Sequence, residues 1–155
     1  MGTTFKVLFL SKGNASRGLI AEGFLRVLAG DRYIPCSAGT DAAAAVSPLA
    51  TEVMREAGID ISSQEPRELA SLFRDTFNYV VVLCDGSRER SPVYPFTRNL
   101  LKWSVPDPEV VGGEPNARKQ AFRQVRDEMK GRVEELVQTL KQTGSAFAEA
   151  RAAGA

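Results

Sequence analysis

The stretch "VLFLSKGNASRGLIAEGFLR", Val7 to Arg26, decides the fold. Its first half is a short apolar run that stops at a small, polar, glycine-containing loop. Its second half carries Ile20, Phe24, Val27 and Leu28 at helical spacing. A buried strand, a tight loop and an amphipathic helix in that order open an α/β unit. The start of such a helix attracts anions, because its first amides lack partners and its dipole favours negative charge. Gly13 and Asn14 both tolerate positive φ, so the loop can curl its amides inward. Arg17 offers a bidentate fork for a tetrahedral oxyanion. The same residues also fit an ordinary strand-to-helix turn with an arginine on the helix surface, and spacing alone leaves both open.

Outward from this stretch, strand and helix signals alternate. Phe5 to Leu10 is the first strand, and Ser16 to Leu28 the helix that Gly30 closes. Tyr33 to Ala38 is a second strand running into Gly39-Thr40, followed by an alanine-rich connector, Asp41 to Val46. Ser47-Pro48 starts a helix, with the hydroxyl as cap and proline in the first turn. Leu49, Val53 and Ala57 are its expected apolar stripe, and Gly58 its end. A loop from Ile59 to Pro66 leads to a short helix, Glu68 to Phe73. "YVVVLCD", Tyr79 to Asp85, is a clear buried strand, and Leu100 to Val105 a fourth. "PDPEVVGGEPN" is a long loop of the kind that often carries function. The last helix is expected from about Ala117 to Gln142. Phe122, Val125, Met129, Val133, Leu136, Val137 and Leu140 mark its buried face. Such alternation predicts a three-layer α/β sandwich around a parallel sheet. Residues 1–143 read as one domain and 144–155 as a helical extension or tail.

Bulk properties narrow the function classes. With 155 residues, 43% hydrophobic and 25% charged, the chain suits one globular domain. A net charge of +1 argues against a nucleic-acid partner. No apolar run approaches the roughly 20 residues that span a bilayer, so no membrane partner is expected. The N-terminus moves straight into a strand without signal-peptide features. Cys36 and Cys84, the two cysteines, are expected to be buried and reduced in a cytoplasmic protein. No histidine is present, which removes histidine triads, the commonest zinc sites and the usual general base. No cofactor and no metal are expected.

The loop resembles that of the low-molecular-weight protein tyrosine phosphatase superfamily, which includes the thioredoxin-coupled arsenate reductases. The signature there is a cysteine, five residues and an arginine; this chain reads Ser11, five residues, Arg17. The likeness continues through "AEGFLR" (Ala21 to Arg26), "SAGT" (Ser37 to Thr40), "SPLATEVMREAGIDIS" (Ser47 to Ser62), "VVVLCD" (Val80 to Asp85), "VPDP" (Val105 to Pro108) and "AFRQVRDEM" (Ala121 to Met129). "CDGSRERSPVYP" looks closer to the arsenate-reductase branch. The resemblance implies a four-stranded parallel sheet in the order 2-1-3-4. It also implies an anion-binding loop of Ser11, Lys12, Gly13, Asn14, Ala15, Ser16 and Arg17. Asp107 matches the general acid that protonates a leaving oxygen, although a solvated loop aspartate is its plainer reading. Asn14, Glu22 and Ser37 match residues that hold potassium in some arsenate reductases; a hydrogen-bond network is the simpler expectation.

The departures fall on the reactive positions. The family's nucleophile is a thiolate. A free thiol has a pKa of about 8.5, which a helix N-terminus can lower to roughly 3.5–7.5. The Ser11 hydroxyl holds its proton far more tightly and needs an adjacent base, and Lys12 is a poor one unless strongly desolvated. Gly18 stands where the family carries a serine or threonine that stabilises the leaving thiolate. Cys84 matches the first relay cysteine of the arsenate reductases, but Ser91 stands at the second. Cys36 is a conceivable substitute, though its strand setting suggests a core residue. Three losses in one mechanism point to natural decay or repurposing rather than a single introduced change.

Three functions follow from these residues. The first is an oxyanion-binding family member, taking phosphate, sulfate or arsenate, with catalysis lost or strongly impaired. The second is an active phosphatase or arsenate reductase, which requires cysteines in place of the serines or an activated Ser11. The third is a regulatory module that recognises a phosphorylated protein or metabolite; thioredoxin is the partner the reductase resemblance implies. Lys12 and Arg17 beside a helix N-terminus favour a dianion. Pro92, Tyr94, Pro95 and Phe96 form either a pocket wall or a packed loop, and Trp103 is expected as a core anchor.

Overall fold

A computed structural model describes residues 5–86, 90–92, 94 and 99–154, with side chains through 142. Four strands, β1 (Lys6–Ser11), β2 (Ile34–Gly39), β3 (Tyr79–Cys84) and β4 (Leu100–Ser104), form one parallel sheet. The order is β2-β1-β3-β4, as expected. The register aligns Leu8 with Cys36 and with Val80, and Ser11 with Gly39. Side chains alternate across the sheet. Val7, Phe9, Val81 and Leu83 enter the larger core, while Leu8, Leu10, Val80, Val82 and Cys84 enter a smaller one.

The larger core is closed by three helices: α1 (Arg17–Ala29), α2 (Pro48–Glu56) and α3 (Pro115–Gly154). On the opposite face, a 3-10 turn at Leu69–Leu72 packs with Phe77 and Tyr94. All seven apolar residues expected on the last helix are buried. Trp103 is buried against Phe9, with ring centroids 6.0 Å apart.

Two stripes differ from expectation. Ile20 and Phe24 are buried, but Val27 is 62% and Leu28 39% exposed. From Arg17 to Leu25 the helix is enclosed on all sides, and in its last turn only the face of Leu25 and Ala29 stays covered. At 100° per residue Val27 lies on the far side from Leu25. In α2 the buried residues are Ala50, Val53 and Met54, and Leu49 packs at their edge. Ala57 is exposed because the helix has already ended at Glu56, and Gly58 turns the chain away at φ +80°. Among the described residues no helix is long and apolar enough to cross a membrane.

Candidate anion site

The loop from Ser11 to Arg17 leaves the carboxyl end of β1, where parallel sheets bind ligands. Its shape is set by backbone pairing with the segment that follows β2. The carbonyls of Ser11, Lys12, Gly13 and Ala15 accept from the amides of Thr40, Asp41, Ala43 and Ser47, at 3.2, 2.8, 2.8 and 2.9 Å. In a planar trans peptide the N–H points opposite to the C=O, and this chain has no cis bond among the described residues. Four outward carbonyls therefore turn the amides of Lys12, Gly13, Asn14 and Ser16 to the inside. The Asn14 amide shows that sense, donating to Ser11 Oγ at 3.2 Å.

Two residues make the close approach possible. Asn14 takes φ +49°, the left-handed conformation that asparagine tolerates; Gly13 does not have positive φ. Gly39 lets the clamp touch the loop, since a Cβ there would lie 2.5 Å from the Lys12 carbonyl oxygen. The Ser47 hydroxyl, expected to cap α2, makes no such bond; its amide is one of the four clamps. At the start of α1 neither a capping side chain nor an acidic residue competes for the first amides.

Ser11, Gly13, Asn14, Ala15, Ser16 and Arg17 line one small cavity of about 30 Å³ together with Asp107 and Glu109. Ser11, Asn14, Ser16 and Arg17 are buried. Arg17 reaches across to the loop after β4, where Nη1 donates to the Val105 carbonyl at 3.2 Å and Nη2 lies 3.6 Å from Asp107 Oδ2. Asp107 also accepts from the Glu109 amide at 3.0 Å, which starts a single 3-10 turn over Pro108–Val110. Lys12 is exposed and is not among the residues lining the cavity. Of the cationic pair expected to favour a dianion, Arg17 lines the cavity and Lys12 does not; Asp107 and Glu109 lie beside Arg17. Glu109 escaped the sequence reading, although Asp-Pro-Glu is a turn in which the aspartate folds back onto the glutamate amide.

Cys84 is buried, in the smaller core with Leu10 and Tyr94. Cys36 is only half-buried, because β2 is an edge strand. Burial first, then the Glu22 carboxylate, pushes its thiol pKa up, opposite to what a relay thiolate needs. Four residues of β3 and two strand spacings separate Cys36 from Cys84. That is about 16 Å at roughly 3.3 Å per residue and 4.8 Å per strand, against a disulfide limit near 7 Å. Ser91 Oγ donates to the neighbouring Pro92 carbonyl at 3.3 Å. Tyr94 packs edge-on against Phe77 in the core, so it is no pocket wall; Pro95 and Phe96 lie outside the described residues.

Of Asn14, Glu22 and Ser37, the last two are joined in a hydrogen-bond network. Glu22 accepts from Ser37 Oγ at 3.3 Å and pairs with Arg26 at 3.1 Å. Gln64, oriented to satisfy its neighbours, donates to Glu22 and accepts from Arg26. The Asn14 carboxamide bonds to neither, and both its polar atoms lack a protein partner.

Comparison with known proteins places this geometry. The family described as low molecular weight phosphotyrosine protein phosphatase matches residues 6–146. An arsenate reductase of Halalkalibacterium halodurans is 33% identical over 135 residues, covering 87% of this chain and 96% of that protein. A glutaredoxin arsenate reductase of a Synechocystis species is 31% identical over 132 residues, 85% and 95% of the two chains. The solved structure of an arsenate reductase in the phosphate binding state superposes with a TM-score of 0.73 at 30% identity, over 88% of this chain and 98% of that one. A strand-order 2-1-3-4 sheet, a clamped anion loop and matches across nearly the whole length have one reading: the chain belongs to the low molecular weight phosphotyrosine protein phosphatase family, on the side of its arsenate reductases.

Proposed function

We propose that this protein binds a tetrahedral oxyanion of the phosphate, arsenate or sulfate class in the Ser11–Arg17 loop, and that it has lost the family's thiol chemistry or retains it only weakly. The four clamped carbonyls carry this reading, because they turn the facing amides inward, where an anion can accept from them. Arg17 and the N-terminus of α1 add charge complementarity.

The loss of catalysis rests on side chains. Ser11 Oγ accepts from the Asn14 amide, and the cavity offers it no histidine or amine as a base. Asp107, beside Arg17, stands at the position that the resemblance gives to the general acid, but without a nucleophile it has no leaving group to protonate. Cys84 lacks a second relay thiol, as Ser91 carries a hydroxyl and Cys36 is out of reach. The names of the relatives favour arsenate as a ligand to test, and a thioredoxin- or glutaredoxin-type reductant as the partner. A cytoplasmic setting with no cofactor completes the proposal.

Calorimetry with phosphate and arsenate tests the binding half; the expected result is binding that Arg17→Ala abolishes. Absence of binding by the folded protein refutes it. Turnover of an aryl phosphate, or of arsenate with thioredoxin, tests the other half. The expected result is no turnover above a blank, with aryl phosphatase activity appearing in Ser11→Cys. Turnover by the unmodified chain would establish the active-enzyme reading instead.

A further inference from the structure

We infer that Glu109, together with Asp107, makes this cavity select tetrahedral oxyanions that keep a proton, hydrogen phosphate or hydrogen arsenate, and turn away sulfate. The inference rests on the loop binding an oxyanion and names which kind. Its basis is the charge inventory of the cavity wall. Among the described residues whose side chains line it, one is cationic, Arg17, and two are acidic, Asp107 and Glu109. Lys12, the other cation of the loop, stands outside in solvent.

The Asp107 carboxylate is held beside the loop, and the backbone that carries Glu109 is held by Asp107. Asp107 lies 3.6 Å from Arg17, and the Glu109 amide is held by Asp107 Oδ1 at 3.0 Å. An ionised carboxylate is an acceptor only. Hydrogen phosphate and hydrogen arsenate each carry an O–H that can donate to it, while their remaining oxygens take the loop amides. Sulfate at neutral pH has no proton to offer. It would set bare acceptors of like charge against Asp107 or Glu109, a repulsive element of the kind that creates specificity. Glu109 is exposed enough to be replaced without disturbing the fold, and its backbone bond to Asp107 survives a change of side chain.

The test is a titration of the full chain with potassium phosphate and with potassium sulfate at constant ionic strength and neutral pH, repeated on Glu109→Gln and on Asp107→Asn/Glu109→Gln. The unmodified protein is expected to bind phosphate at least about tenfold more tightly than sulfate, a difference of about 1.4 kcal/mol. Glu109→Gln should narrow that ratio by gaining sulfate affinity, and the double variant should narrow it further. Equal binding of the two anions by the unmodified chain, or a ratio unchanged in both variants, overturns the inference while leaving the loop as an anion site. Failure of all three proteins to bind either anion overturns the loop reading, and the selectivity with it.

Discussion

Gly39 is the position where a single carbon atom tests the architecture of the loop. A Cβ added there would meet the Lys12 carbonyl oxygen at 2.5 Å, and Asn14 N and Cβ at 3.2 Å. These atoms belong to, or sit directly on, the backbone and cannot swing aside like a side-chain tip. Ordinary contact begins near 3.4 Å, so the Lys12 carbonyl must retreat by about 0.9 Å. It is held by the Asp41 amide at 2.8 Å, and a retreat of that size breaks or badly stretches the bond. Overpacking costs about 1–3 kcal/mol and the lost hydrogen bond about 0.5–1.5 kcal/mol. Alanine returns about 0.4–1 kcal/mol through the unfolded chain. Gly39→Ala should therefore lose about 1–4 kcal/mol in urea unfolding followed by circular dichroism, with a reduced midpoint and unchanged slope. It should also lose phosphate affinity by about tenfold or more, because the peptide it displaces carries the inward Gly13 amide. Gly13→Ala is the control: its Cβ would meet nothing within 4 Å and its φ is not positive, so stability should stay within about 0.5 kcal/mol. If Gly39→Ala matches the parent in both stability and phosphate binding, the clamp does not shape the cradle and the account of the site is wrong.

Arg17→Lys keeps the charge but gives up the fork that reaches both Val105 and Asp107, so phosphate affinity measured by calorimetry should fall about 10- to 100-fold; unchanged affinity would show that charge alone suffices. Glu56 on α2 is bound by Arg123 at 2.7 Å and Arg126 at 2.8 Å, and the Arg123 hydrogen bond above all lowers its pKa from 4.5 to about 2. A depressed carboxylate contributes stability above its unfolded pKa and loses it as pH falls through the folded value. Glu56→Gln should then lower the melting temperature at pH 7 and converge with the parent as the pH drops from 4.5 toward 2; an equal difference at both ends would refute the pairing. Cys36 and Cys84 should both react with a thiol reagent after unfolding without reductant, and a disulfide-linked peptide in the digest would contradict the separation that the strand register imposes.

The sheet and the long helix were legible because both announce themselves in apolar pattern. The "YVVVLCD" run has no other use than a doubly covered strand, and the α3 stripe is faithful over five turns from Phe122 to Leu140. The loop was legible for a different reason, since glycine, asparagine and arginine in that spacing each carry a conformational or chemical meaning. What escaped was work done by the main chain. The alanine-rich connector, Asp41 to Val46, shows no role in its sequence, yet the amides of Asp41 and Ala43, with those of Thr40 and Ser47 at its ends, hold the loop's carbonyls. No side chain there signals the role. Val27 misled for a related reason: periodicity gives the apolar face of a helix, but not how far along the helix that face stays covered.

That division between main chain and side chain separates what shapes the site from what would do chemistry in it. Each departure from the family pattern, at Ser11, Gly18 and Ser91, alters a side chain. None touches the four carbonyls that orient the amides or the Arg17 contacts across to Val105 and Asp107. Thiol chemistry of the family's kind depends on side chains, the nucleophile first. The cradle needs only the backbone path, the left-handed Asn14 and the bare Gly39, and all are present. Gly18 bears on the same division. A Cβ there would sit 2.3 Å from Asn14 Oδ1 and 3.4 Å from Ser11 Oγ, so the buried carboxamide leans into the space beside a missing side chain and bonds to no protein group. A hydroxyl at position 18 would move that amide aside and give it a partner. Gly18→Ser should accordingly be far better tolerated than Gly39→Ala, although the approach at position 18 is the closer of the two, because a side-chain tip can yield where a backbone carbonyl cannot. The reverse order of stabilities would mean that the loop is held by its side chains rather than by the backbone clamp.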